Sequence, residues 1–282
     1  MHGRAVRRML LSVALGLFAR PGWGEEPRSL RVVSLAPSTT EILFALGLDR
    51  EIVGVSRLCQ YPPRAVSKPK IGDFSNPSLE RILSLKPDYV FCTGIEQARV
   101  AEKLKQLGCP VVVSSPENFG ELFDSITGIG RRVGREREAA ELIAGMKAKI
   151  DRVSDRSRSR GEGVRPRVFV EIWHSPLMTA GNGSFIDELI TLAGGQNVAG
   201  DIGKAYGNIS PEQVIRRDPE VIVLTYMEGK GSVDPVKKRW GWSAVSAVRN
   251  GRVYGDIDPA LLLIPGPRLA DGLIELQKRI AP

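Results

Sequence analysis

Two carboxylates occupy the same place in two copies of one short pattern. Glu80 is followed after seven residues by Pro87, then Asp88 and the apolar run Tyr89-Val90-Phe91; Glu212 is followed after seven by Pro219, then Glu220 and Val221-Ile222-Val223. Asn76-Pro77 and Ser210-Pro211 announce a helix ahead of each, with Asn or Ser as cap, proline at the first helical position and an acid in the first turn, where the helix dipole is positive. Read alone, this is good helix-start chemistry used twice. Its recurrence on two related halves also suits a joint role for a pair of acids.

Other reactive side chains are sparse. The histidines are His2 and His174, and the cysteines are Cys59, Cys92 and Cys109, at spacings that match no zinc pattern. A metal site built by the chain itself is therefore not expected. Three Cys allow at most one disulfide, and Cys92, inside an apolar strand, reads as a small buried residue. His174, in Trp173-His174-Ser175-Pro176 at a strand exit, reads either as a hydrogen-bonded loop residue or as part of a cleft. It has no Gly-x-Ser-x-Gly partner, and there is no Gly-Lys-Ser/Thr phosphate loop. In Gly128-Ile-Gly130-Arg-Arg-Val-Gly134 the third glycine falls one residue late for a dinucleotide loop and follows a helical segment, so it reads as a helix break. No catalytic residue and no cofactor are expected.

The elements that position these residues begin behind a leader. Arg4, Arg7 and Arg8 precede the apolar run Met9 to Ala19, and Pro21-Gly22-Trp23-Gly24 follows. This is the layout of a cleavable secretory signal, and the run is shorter than the roughly 20 residues a membrane span needs. Residues 1–24 hold four Arg and no acid, so cleavage would leave 36 basic against 32 acidic side chains and reduce the formal charge from +8 to +4. Arg131, Arg132, Arg135, Arg137 and the Arg156–Arg160 tract alternate with Glu136, Glu138, Asp151 and Asp155, as on a solvated helix face, and no nucleic-acid partner is expected. With 282 residues, 42% hydrophobic and 26% charged, the chain is neither a disordered polymer nor a multi-span membrane protein.

Apolar strands and amphipathic helices alternate, the pattern of an α/β protein with parallel sheets. Strands are expected at 31–35, 52–55, 89–92 and 111–113, and helices at 41–46 (capped by Thr39 or Thr40), 79–85 and 100–107. A helical stretch from 119 to about 157 breaks near Gly128–Gly134. Its last 23 residues would span about 35 Å, the length of a connector between lobes. Beyond it come strands at 167–172, 221–225 and 252–254 and helices at 185–192, 211–217 and 268–279. The division is a signal segment (1–24), a first α/β lobe (25–134), a connecting helix and linker (135–163) and a second α/β lobe (164–282).

The blocks Arg31-Val-Val-Ser-Leu-Ala-Pro-Ser-Thr-Thr-Glu41, Tyr61-Pro-Pro63, Asn76-Pro-Ser-Leu-Glu-Arg-Ile82, Leu85-Lys-Pro-Asp88, Ser210-Pro-Glu-Gln-Val214 and Gly266-Pro-Arg268 resemble those of the periplasmic substrate-binding proteins of ABC importers for cobalamin and ferric siderophores. The likeness covers the chain behind the leader in order and is strongest toward the cobalamin-binding branch. It implies two Rossmann-like lobes joined by one long helix, a ligand cleft between them and small lobe movements. It also implies a soluble periplasmic monomer that carries a small-molecule metal chelate to a permease dimer.

The same resemblance places Tyr61, Phe74 and Tyr206 against a flat macrocycle, with Met178 as another apolar contact. Trp173, Trp240, Trp242 and His174 are further candidates. Aromatics suit such a ligand because it offers far more surface to stack on than charge to pair with. It also gives Glu80 and Glu212 the docking of the two lobes onto arginine pockets of the permease, where charge-assisted pairs supply register. The chain departs from the pattern near Gly266-Pro-Arg268: Ile264 stands where the cobalamin relative has an Arg, and its acid partner could come only from Asp256 or Asp258. Haem relatives place an iron-binding Tyr directly after a Gly where this chain has Gly72-Asp73. A corrinoid is the expected ligand, a ferric siderophore the alternative within the class, and an extracytoplasmic α/β enzyme the alternative outside it.

Overall fold

The computed structural model describes residues 29–159, 165–227 and 232–281. The expected leader, and the end of the polar linker at 160–163, lie outside the described residues. The first lobe runs β1 (Val32–Ser34), α1 (Pro37–Ala45), β2 (Ile52–Val55), α2 (Pro63–Val66), α3 (Leu79–Ser84), β3 (Tyr89–Cys92), α4 (Ala98–Gln106) and β4 (Val111–Val113). Two longer helices follow, α5 (Phe119–Val133) and α6 (Glu136–Arg158). The second lobe contains β5 (Arg167–His174), β6 (Leu177–Ala180), α7 (Phe185–Leu192), β7 (Gln196–Asn197), β8 (Tyr206–Asn208), α8 (Pro211–Arg217) and β9 (Val221–Leu224). It closes with α9 (Asp234–Lys237), α10 (Ser246–Arg249), β10 (Val253–Tyr254), α11 (Ala260–Leu263) and α12 (Leu269–Ile280).

Each lobe has its own sheet. The first is wholly parallel in the order β2-β1-β3-β4. The second is mixed, in the order β10-β9-β5-β6-β8 with β7 also on β5: β10, β9, β5 and β7 are parallel, whereas β6 pairs antiparallel with both β5 and β8. That antiparallel edge has no counterpart in the sequence reading, because β6 and β8 are short and lack a sustained apolar alternation.

Strand periodicity assigns the cores. Along β9, Val221 and Val223 face a core shared with α5, α6, α7 and α12, and Ile222 and Leu224 face one closed by Phe169, Val214 and Trp242. Along β1, Val32 joins the shared core and Val33 joins Ile71, Ile82 and Leu104 on the outer side of the first sheet. The shared core is continuous from one lobe to the other through Leu122, Ile126, Met146, Val153, Leu273 and Leu276. A helical layer, and not a flexible strand pair, therefore ties the lobes together. The break before α6 falls at Gly134, which closes α5 in a left-handed conformation (φ 65°); Gly128 is helical throughout.

The start of α1 corrects the sequence reading. Pro37 opens the helix four residues earlier than expected, and Thr39 and Thr40 lie buried inside it instead of capping it. Their hydroxyls turn inward: Thr39 hydrogen-bonds Ser34 and the Ala36 carbonyl, and Thr40 donates to Ser34 Oγ and Cys59 Sγ. The three cysteines are free thiols, Cys59 and Cys92 buried and Cys109 partly so. Burial pushes the Cys92 thiol up to about 11. No described helix is long and apolar enough to cross a membrane.

Candidate functional site

Binding crevices of open α/β sheets lie beyond the carboxyl ends of the strands, and in both lobes some of the aromatic candidates lie at or behind those ends. The loop behind β2 leads to Tyr61, which is 44% exposed. β5 ends in Trp173 and His174, and β9 runs into Thr225 and Tyr226. The cis peptide bonds Tyr61–Pro62 and Ser175–Pro176 lie in these same segments.

Phe74 sits half-buried in a loop held from below. Gln97, fully buried, donates through Nε2 to the Phe74 carbonyl at 2.8 Å and the Leu35 carbonyl at 3.0 Å, and accepts from the Thr93 N–H at 3.0 Å. Gly72 makes the turn before it with φ 119°, where an added Cβ would lie 2.9 Å from the Ser78 backbone nitrogen. Exposed Arg57 and Asp73 form an ion pair at 3.3 Å across the loop. Gln97 escaped the sequence reading because a lone polar residue at a helix start carries no signal that tertiary structure will bury it.

On the second lobe Met178 lies opposite Trp173 in the β5–β6 pair, and the Trp173 indole N–H donates to the Ser175 carbonyl at 2.8 Å. His174 is exposed, packs on Trp173 at 5.1 Å between ring centroids and meets the edge of Tyr226 at 5.6 Å. Tyr206, 46% exposed, opens β8 opposite Ala180. Loss of hydration raises its phenol pKa, and the negative charge of Glu117, on the first lobe, adds to the shift.

Trp242 does not join this group. It is 0% exposed, packed edge-on against Phe169 at 6.3 Å in the outer core of the second lobe, so it is a core residue and not a surface for ligand. Its neighbour Trp240 is 89% exposed and is the tryptophan of that segment available to a ligand.

The second lobe also holds a polar cluster absent from the sequence reading. The Glu171 carboxylate, fully buried on β5, accepts both Arg239 Nη groups at 2.6 Å and the Tyr226 hydroxyl. Arg239 spreads over the Trp242 ring at 4.7 Å. Burial pushes the Tyr226 phenol up and its hydrogen bond to Glu171 pushes it further, so the hydroxyl stays a neutral donor.

Two further contacts join the lobes. Glu41, buried in α1, accepts from Arg268 Nη2 at 2.6 Å and Nε at 3.1 Å, and the Arg268 guanidinium lies 3.8 Å from the Tyr61 ring centroid. Burial pushes the Glu41 carboxyl up, and Arg268 opposes this through its hydrogen bonds and charge. At the other contact the Phe119 N–H donates to Glu188 Oε2 at 3.0 Å, and burial raises the Glu188 carboxyl pKa. Of the two acids considered near Ile264, Asp256 pairs with Arg279 at 2.6 Å and Asp258 lies 3.6 Å from Arg268.

The two repeated glutamates prove more alike than the sequence indicated. The cap of α3 is Ser78 and not Asn76, and Pro77 is buried ahead of the helix, so Glu80 is the second helical residue. Ser210 caps α8 in a capping box with Gln213, and Glu212 is again the second residue. Both side chains are exposed. Glu212's own backbone N–H and Ser210 hold its carboxyl below the usual range. Six residues on, Lys86 and Asp218 share a left-handed conformation (φ 46° and 41°). Asp88 then accepts the Arg31 N–H at 2.8 Å, and Glu220 accepts the Arg167 N–H at 2.9 Å, each locking a helix exit to the first residues of a central strand. Among the described residues no group of three or more His, Cys, Asp or Glu is placed to hold a metal ion.

The family model described as "Periplasmic binding protein" matches residues 32–260. An ABC transporter substrate-binding lipoprotein of Bacillus subtilis (strain 168), itself uncharacterized, is 34% identical over 263 residues, 92% of this chain and 81% of that one. A vitamin B12-binding protein of Yersinia pestis (strain Pestoides F) is 30% identical over 212 residues, 74% of each chain. Among solved structures, a periplasmic heme-binding protein from Roseiflexus sp. RS-1 in apo form superposes with a TM-score of 0.79 at 29% identity, covering 89% of this chain and 98% of that one.

Proposed function

The chain belongs to the periplasmic binding protein family, the non-enzymatic substrate-binding components of ABC importers, and on that premise we propose that it captures a cobalt-corrinoid, cobalamin in the first instance. The ligand is taken up in the cleft between the lobes and passed unchanged to a permease. One observation supports the choice of cargo: the arginine stacked on Tyr61 and the arginine next to Tyr226 are both spent on buried carboxylates. Arg268 under Tyr61 is paired with Glu41, and Arg239 beside Tyr226 is paired with Glu171. Exposed aromatics with the neighbouring arginines neutralised suit a broad macrocycle with little net charge, whereas an anionic ferric siderophore calls for uncommitted cations. The vitamin B12-binding relative supports the same reading.

In this reading Tyr61, Phe74, Met178, Tyr206, Trp173 and His174 contact the ligand, with Trp240 in place of Trp242. Glu80 and Glu212, at matching helix positions on the two lobes, dock onto basic pockets of a two-fold permease. Residues 1–24 direct export and are removed, α6 joins lobes that span roughly 25–134 and 164–282, and the protein acts as a monomer.

Titrating the exported form with cyanocobalamin, hemin and a ferric catecholate while following tryptophan fluorescence tests the cargo. Binding of cyanocobalamin tighter than about 10 μM, roughly −7 kcal/mol, is expected. No response to it in that range, with a response to the catecholate, would replace the corrinoid with a siderophore.

A further inference from the structure

We propose that Arg268 is the positioning residue of the cleft. Clamped by Glu41 of the first lobe, it sets the spacing of the two lobes at one edge of the cleft and holds the Tyr61 ring in place for the ligand. The inference rests on Tyr61 being a ligand contact, as proposed above, and goes beyond it in naming what keeps that ring and the lobe angle fixed.

The geometry joins three separate pieces of chain. Glu41 belongs to α1 of the first lobe, Tyr61 to the loop behind β2, and Arg268 to the residue just before α12 of the second lobe. The Glu41 side chain is 2% exposed and that of Arg268 16%, so the two-pronged pair is shielded from solvent competition. A planar guanidinium is needed because its edge binds the carboxylate while its face covers the Tyr61 ring; an ammonium could do one or the other. With Arg268 on the ring, Tyr61 is still 44% exposed, and that exposed surface is the one proposed for the ligand.

Two local features fit this role. Gly266 brings the second lobe against α1 so closely that an added Cβ would lie 3.1 Å from Glu41 Oε2. The Gly266-Pro-Arg268 block is thus explained by one contact: the glycine permits the approach and the arginine uses it. Beside the pair is a cavity of about 500 Å³ lined by Tyr61, Met146, Lys149 and Asp271 among others. With open space next to it, packing alone does not fix the tyrosine, and the arginine does. Lys149 and Asp271, paired at 2.5 Å, tie α6 to α12 on the far side of that space.

The test reads lobe spacing and affinity separately. Spin labels at Glu102 on α4 and Lys237 on α9, both exposed, in a Cys109→Ser background, report the inter-lobe distance distribution by pulsed EPR. The parent protein should give one narrow distribution. Arg268→Gln and Glu41→Gln should each broaden or shift it by about 2 Å, and the double variant should do no more than either single. Arg268→Lys should restore the distance in part but not the ring position. Cyanocobalamin affinity should fall tenfold or more in Arg268→Gln. Gly266→Ala, which only crowds the pair, should move both readouts in the same direction by less and covers the case in which a charge-breaking variant fails to fold. A lower melting temperature with unchanged distances and affinity would overturn the proposal and leave the pair a packing contact. If the parent protein does not bind cyanocobalamin, the cargo assignment fails, and the distance distributions still decide the role of Arg268.

Discussion

Replacing Glu171 by Gln removes the charge that neutralises Arg239 without changing the shape of the side chain. The carboxylate is fully buried and accepts three hydrogen bonds, two from Arg239 and one from Tyr226. Bonds to a charged group contribute about 1.5–3 kcal/mol each, and the amide keeps one acceptor oxygen. The Arg239 side chain is 22% exposed, so it recovers part of its hydration once released. The net loss is expected near 3 kcal/mol, at the low end for breaking a buried ion pair. At about 2–4 °C per kcal/mol for a chain of this size, the melting temperature should fall by about 6–12 °C. Urea unfolding of Glu171→Gln, Arg239→Met and the double variant should give a coupling energy of about 1–3 kcal/mol, the double variant losing less than the sum. The same substitution leaves an unbalanced positive charge in the cleft wall, so affinity for a ferric catecholate should rise relative to cyanocobalamin. A loss below about 1 kcal/mol with additive singles would refute the view that this pair holds the wall together and keeps it neutral.

Three other outcomes follow from local geometry. In Gly272→Ala the new Cβ would lie 2.0 Å from the Leu261 carbonyl oxygen, so α12 must move off α11; urea unfolding should show a loss on the order of 2–3 kcal/mol at unchanged m. The Ser246 N–H holds the Asp218 carboxyl below the usual range, aided by the Ser246 hydroxyl and Arg167. Because the folded value is the lower one, this stability is present above the unfolded pKa near ~3.9 and lost as pH falls through the folded value. With the side chain 40% exposed, Asp218→Asn should cost about 0.5–1 kcal/mol at pH 7, and the difference from the parent should narrow as pH falls below the unfolded value and through the folded one, as read from melting curves across pH. Reversing charge at Glu80 and Glu212 together should leave cyanocobalamin affinity unchanged and abolish stimulation of the permease's ATPase in proteoliposomes. Weakened ligand binding would instead place these acids at the cleft.

The parallel sheet of the first lobe was legible because Ile52–Val55, Tyr89–Cys92 and Val111–Val113 are apolar runs bounded by turn residues. The repeat around Glu80 and Glu212 was legible because helix-start chemistry is local, though Ser78 rather than Asn76 forms the cap. Thr39 and Thr40 were misread for the complementary reason: their residue type suits a cap, but Pro37 already starts the helix and buried Ser34 and Cys59 take up their hydroxyls. Trp240 and Trp242 are indistinguishable in sequence, two apart in a short turn, and only packing against Phe169 sorts the buried one from the exposed one.

Local pattern therefore determined the alternation of strands and helices, the long connector α6 and the paired acids, since each depends on residues a few positions apart. The character of the cleft was decided by contacts between residues distant in the chain. Glu171 meets Arg239 across 68 positions and Glu41 meets Arg268 across 227. Neither pair has a sequence signature, because a charge is marked as buried and neutralised only when folding takes it out of water beside its partner. Those two encounters put a buried, neutralised charge beside Tyr61 at one place and beside Tyr226 at the other.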